Sequence, residues 1–130
     1  MIPPPIAVGL IICEKVIVEE FTKNVSLLNT FTKLNVATHT LPRFVVYAVL
    51  TDGLGTCRVQ LSIVELETAE EIYSRQMAAT FLDRLAELRV LFSTNQCSFP
   101  KSGKYQLILL VDDELVAQRT LVVKLNEGKS

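Results

Sequence analysis

The sequence predicts an all-β protein, an antiparallel sandwich of about seven to nine strands with no disulfide. Three observations carry the prediction. Residues 99–125 read as a corner, a long strand, a tight acidic turn at Asp112-Asp113-Glu114 and a second long strand, which is the usual sign of a hairpin. Residues 44–51 (FVVYAVLT) are β-branched and aromatic almost throughout. Residues 56–66 alternate cleanly, with Val59, Leu61 and Ile63 on one face and Arg58, Gln60 and Ser62 on the other. That pattern fits a strand with one buried and one wet face.

The remaining elements follow in order. Residues 1–5 are a stiff proline lead-in. Residues 7–19 are rich in Ile and Val and predict the first strand, its early half apolar on both faces. The polar residues 19–24 supply a turn. Residues 25–34 (VSLLNTFTKL) predict one second strand, with Val25, Leu27, Asn29 and Phe31 on one face. Residues 35–42 read as a loop or short irregular strand that ends at Pro42. Asp52-Gly53-Leu54-Gly55 is a turn whose glycines permit positive φ. Residues 126–130 are expected to be a flexible tail on a single domain spanning 1–130.

Residues 67–92 support two readings. Thr68-Ala69-Glu70-Glu71 matches a helix capping box, and Tyr73, Met77, Phe81, Leu85, Leu88 and Phe92 follow at helical spacing. As strands, Tyr73, Arg75, Met77, Ala79 and Phe81 share one face, the chain breaks at Asp83-Arg84, and a second strand restarts at Leu88. Propensity does not separate the two. The context does, because every other segment is a strand of sandwich length with turn signals at short spacing.

Composition bounds the function. The 130 residues fit one domain, and 49% hydrophobic against 21% charged residues argues against disorder. A net charge of −1, with basic residues scattered singly, gives no surface to neutralise phosphates, so neither nucleic acid nor an anionic membrane is expected as partner. Three cysteines without close pairing favour a reducing compartment, and the cytoplasm is the expected location. The apolar run at residues 6–13 ends in Cys13, but no basic residue precedes it and Ile12 stands where a leader would need a small residue. A strand is the plainer reading.

The end of the chain narrows the architecture. In immunoglobulin-like sandwiches a tyrosine near the start of the penultimate strand ties its hydroxyl to the preceding corner. Ser102-Gly103-Lys104-Tyr105-Gln106-Leu107 has that shape, and apolar Leu107 stands where antibody domains carry a cysteine. The stretches Leu10-Ile11-Ile12-Cys13-Glu14, Val25-Ser26-Leu27-Leu28-Asn29, residues 44–50, Cys97-Ser98-Phe99-Pro100, Gly103, Tyr105 and Val116-Ala117-Gln118-Arg119-Thr120-Leu121 resemble a group of small uncharacterised bacterial domains. The resemblance spans residues 9–125 and implies an immunoglobulin-like β-sandwich with strands through 70–94. It brings no catalytic residues. Such sequences commonly carry Asp-Gly in the last hairpin turn, whereas this chain has Asp112-Asp113-Glu114, which leaves the turn type open.

No motif specifies a chemistry. His39 is the only histidine and sits in the 35–42 loop, so a solvated loop residue is the bland reading of it. Cys13, Cys57 and Cys97 lack ligand spacing, and each lies beside apolar residues as a buried small hydrophobe would. A metal site or thiol enzyme built from Cys13, Cys57, Cys97 and His39 is therefore the alternative, with no cofactor expected. The leading reading is a non-enzymatic module that binds a protein or itself. Strands 44–50 and 105–111 are apolar on both faces. Were they sheet neighbours, Val46, Ala48, Leu50, Ile108 and Leu110 would form an apolar interface patch, unless the N-terminal segment or the 35–42 loop covers it.

Overall fold

The computed structural model describes residues 5–37 and 41–126. Nine strands and no helix occur among them. In chain order they are β1 (Ile6–Val18), β2 (Val25–Thr30), β3 (Lys33–Ala37), β4 (Phe44–Thr51), β5 (Gly55–Glu65), β6 (Glu71–Phe81), β7 (Leu88–Thr94), β8 (Gly103–Val111) and β9 (Glu114–Asn126). They form a four-stranded sheet, β2-β1-β4-β7, and a five-stranded sheet, β3-β9-β8-β5-β6. All pairings are antiparallel except β3 with β9, which is parallel. Residues 71–81 and 88–94 are thus strands, and the capping-box pattern is a coincidence of turn chemistry: Thr68 donates to Glu65 upstream and starts no helix.

One core lies between the sheets. Ile12, Phe44, Val46, Leu50, Val90 and Phe92 enter it from one side, and Val59, Leu61, Ile63, Leu107, Leu109 and Leu121 from the other. Alternation along each strand makes this possible, since every second side chain points the same way. A ring cluster closes one end: Phe44 stacks on Phe99 at 6.3 Å, and Phe99 meets Tyr105 edge-on at 4.9 Å. Gly53 admits the Phe81 ring so closely that a Cβ there would lie 2.4 Å from it. Gly9, at φ +86, forms the bulge that shifts the β1–β4 register between Ala7 and Leu10.

The topology resolves three expectations. Residues 25–34 are not one strand. The chain leaves β2 at Thr30 and crosses to the other sheet, where Lys33 pairs with Val122. Residues 35–37, read as a loop or short irregular strand, take the strand form and finish β3. Above all, β4 and β8 lie in opposite sheets, so the proposed patch does not exist as one surface. Val46, Ala48 and Leu50 are buried in the core, because the face of β4 that carries them is the inner one. Ile108 and Leu110 are half-buried on the outer face of the other sheet.

The β1–β2 hairpin does not continue flat. The ladder skips the Glu14–Asn29 pair, Asn29 takes φ 54, and its amide donates to the Glu14 carboxylate at 2.9 Å. Beyond that kink, the Arg89 guanidinium donates to the Lys23 carbonyl in the hairpin tip. Cys13 lies opposite Val45 and Arg89 lies opposite Val49. At about 3.3 Å per residue, a straight hairpin would hold Lys23 roughly 30 Å from Arg89 along the strand direction. The hairpin is therefore folded back over the outer face of the four-stranded sheet. Cys13, which the alternation turns to that outer face, is 0% exposed, and Ile11, Val45, Tyr47 and Leu91 beside it are half-buried.

Candidate functional site

The outer face of the five-stranded sheet is built by register. Gln118 of β9, Ile108 of β8, Ser62 of β5 and Ser74 of β6 form one continuous row. Leu115, Leu110, Gln60 and Gln76 form the next. Neither row carries a charge. Their polar side chains are tied within the face, as Gln60 donates to the Ser74 hydroxyl at 3.0 Å. Charges stand only at the margins. Arg58 pairs with Asp113 at one end, and Lys104 and Glu71 lie at the other, where Glu71 accepts from Ser62 at 2.6 Å. The face is thus uncharged at its centre and charged at its rim. Sequence reasoning named Ile108 and Leu110, but grouped them with β4 residues that lie in the other sheet. It missed the uncharged surround, because that depends on which strands flank β8.

A second polar cluster lies under the Tyr105 corner. The Tyr105 hydroxyl donates to the Lys101 carbonyl at 2.6 Å. Glu65, at 3% exposed, accepts from the Thr68 hydroxyl and from the Glu67 and Thr68 N–H groups at 3.1 and 2.8 Å, and Lys101 lies 3.7 Å away. The Thr68 bond, more than the others, holds the Glu65 carboxyl below its ordinary range. Its hydrogen bonds come from the β5–β6 turn and its ion pair from Lys101, so the cluster ties that turn to the corner. The sequence signal was Glu65 ending the buried face of an alternating strand, a position that calls for a partner.

An open recess of about 620 Å³ sits beside the hairpin kink, lined by Lys15, Lys33 and Arg43 together with the Glu14–Asn29 pair. These side chains are exposed and solvated, and no buried polar group points into the recess. Cys13, Cys57 and Cys97 are all reduced and buried. Cys13 lies under the hairpin, Cys57 faces the core on β5, and Cys97 sits beyond β7 near Tyr105. Burial pushes all three thiols up, Cys97 to about 12, which is the reverse of what activates a nucleophile. No group of three ligating side chains forms among the described residues. His39 lies outside the described residues.

Residues 9–124 match the model of a family of unknown function, DUF6941. The chain belongs to this family. No curated protein matches it. The DUF6941 match covers β1 through most of β9, so both sheets and the folded-back hairpin fall within the family region. The name carries no activity, and the reading of the DUF6941 surface rests on its geometry.

Proposed function

We propose that the chain is a non-enzymatic binding module of immunoglobulin-like architecture, which engages a protein partner through the outer face of β9-β8-β5-β6. One observation carries the reading: the two rows through Ile108 and Leu110 cross four strands without a charge. Isolated exposed apolar residues need no explanation, but a contiguous, charge-free sheet face rimmed by charges does. The immunoglobulin-like assignment draws support from the Tyr105 corner, from buried Leu107 and from the parallel pairing of β3 on β9. The reduced thiols are in keeping with a cytoplasmic setting.

The test is affinity capture from the native cell with wild type and Leu110→Glu as paired baits, followed by direct titration of each captured protein. Leu110 is half-buried on the outer face, so Leu110→Glu is expected to fold, which its circular dichroism and melting curve check. A partner that binds wild type and loses at least tenfold in affinity for Leu110→Glu supports the reading. Partners that bind both forms equally would place recognition on another surface.

A further inference from the structure

We propose that the chain pairs with a second copy of itself through the free edge of β6, as an antiparallel β6–β6 ladder centred on Gln76. This edge adjoins the outer sheet face at Ser74 and Gln76, but the pairing uses the backbone of β6 and does not rest on the reading of that face. β6 ends the five-stranded sheet: β5 pairs along one side of it, and no strand pairs along the other among the described residues. It is 11 residues long. From Ile72 to Phe81 it holds no proline, no glycine and one charge, Arg75. Edge strands normally defend themselves with charges, prolines, bulges or shortness, because their unpaired N–H and C=O groups are a template for another strand.

The other edges are managed. β2 and β3 span 6 and 5 residues. β7 is guarded at both ends of its run, since the Arg75 guanidinium takes the Ser93 carbonyl at 2.9 Å and Arg89 holds the folded-back hairpin. The Arg75 bond draws the one charge in the body of β6, residues 72–81, toward β7.

A second copy is the occupant because the strand is complementary to itself. Gln76 is the midpoint of Glu71–Phe81, so a twofold axis there aligns the whole strand with its own reverse. Arg75 then faces Met77 of the other copy, Ser74 faces Ala78, and no like charges are opposed. The axis also carries the apolar residues at the two ends of the edge toward one another. Leu82 and Leu85, 87% and 93% exposed just past β6, come to the end of the other copy where Leu66 lies 46% exposed before it. Pairing would join two five-stranded sheets into one.

Disulfide trapping tests both the surface and the register. In an antiparallel ladder directly opposed Cα atoms lie about 4.5–5.5 Å apart, within disulfide range. Gln76→Cys sits on the axis, so it is expected to give a cross-linked dimer under mild oxidant. Ser74→Cys and Ala78→Cys each stand about 13 Å from their own symmetry mates. Each alone is expected to stay uncross-linked, and a mixture of the two is expected to cross-link. The native thiols are buried and give little background. Light scattering on wild type is expected to read twice the chain mass. A wild-type monomer at high concentration, or Gln76→Cys cross-linking no faster than Lys104→Cys on the sheet face, overturns the proposal and leaves the edge to a strand of another protein.

Discussion

The Tyr105 hydroxyl donates to the Lys101 carbonyl at 2.6 Å, across four residues of corner, while its ring stands edge-on to Phe99 at 4.9 Å. The hydrogen bond and the ring contact do separable jobs. Tyr105→Phe keeps the ring and removes the donor, leaving a partly buried carbonyl unmet. A loss of about 1–2 kcal/mol is expected, read as a lower urea midpoint at unchanged slope. Tyr105→Ala also empties the ring site and is expected to cost about 3–5 kcal/mol. Equal midpoints for Tyr105→Phe and wild type would show that the corner is held by packing alone.

Glu65 sets an acid limit. Its folded carboxyl lies below the ordinary value of 4.5, first because the Thr68 hydroxyl donates to it. A lowered folded pKa means that the stabilisation is complete above the unfolded value. It is lost as pH falls from about 4.5 through the folded value. Thermal melts across that window are expected to fall more steeply for wild type than for Glu65→Gln, whose amide does not titrate. Parallel curves would remove Glu65 from the acid response.

Burial protects the thiols. In native buffer at neutral pH a thiol reagent is expected to modify none of Cys13, Cys57 and Cys97, and to modify all three in denaturant. Cys97 also sets an alkaline limit. Its folded value, about 12, exceeds the ordinary 9, so stability is full below 9 and declines as pH rises above it. One fast-reacting native thiol would revive the thiol-enzyme alternative.

The Arg89 guanidinium latches the hairpin tip. Arg89→Ala removes the donor to the Lys23 carbonyl and is expected to free the tip with little change in global stability. Hydrogen exchange should accelerate across residues 15–28, and Cys13 beneath the hairpin should become the first thiol to react. If exchange there is unchanged, the kink at Glu14–Asn29 holds the fold-back without the latch.

The β8–β9 turn carries strain that glycine relieves. Asp112 and Asp113 take φ 48 and 68, the pair of positive values of a type I′ turn. Asp112 is also tied to Arg58, its carboxylate accepting the Arg58 N–H at 2.9 Å. Asp113 offers only an exposed ion pair with Arg58, which is worth little. Asp113→Gly is therefore expected to gain about 0.5 kcal/mol, and Asp112→Ala to lose about 1 kcal/mol, both by urea denaturation.

Local pattern determined much of this protein. Alternation picked out Val59, Leu61 and Ile63 as the core face of β5, although Ser62 on the face expected to be wet is only 6% exposed. The acidic turn marked the β8–β9 hairpin, and Gly103 and Tyr105 marked the corner that holds it. Those features are legible because they depend on neighbours two to four residues away. Tertiary structure decided the rest. An apolar β4 does not announce which of its faces is inner, so Val46, Ala48 and Leu50 are core residues while Ile108 and Leu110 face outward. Residues 25–34 hold one alternating pattern yet divide between two sheets, since strand pairing is a long-range contact that periodicity does not encode. The fold-back of the β1–β2 hairpin hangs on Arg89 meeting Lys23 across 66 residues of chain. The open β6 edge likewise follows from the fold, in which no strand among the described residues pairs along it.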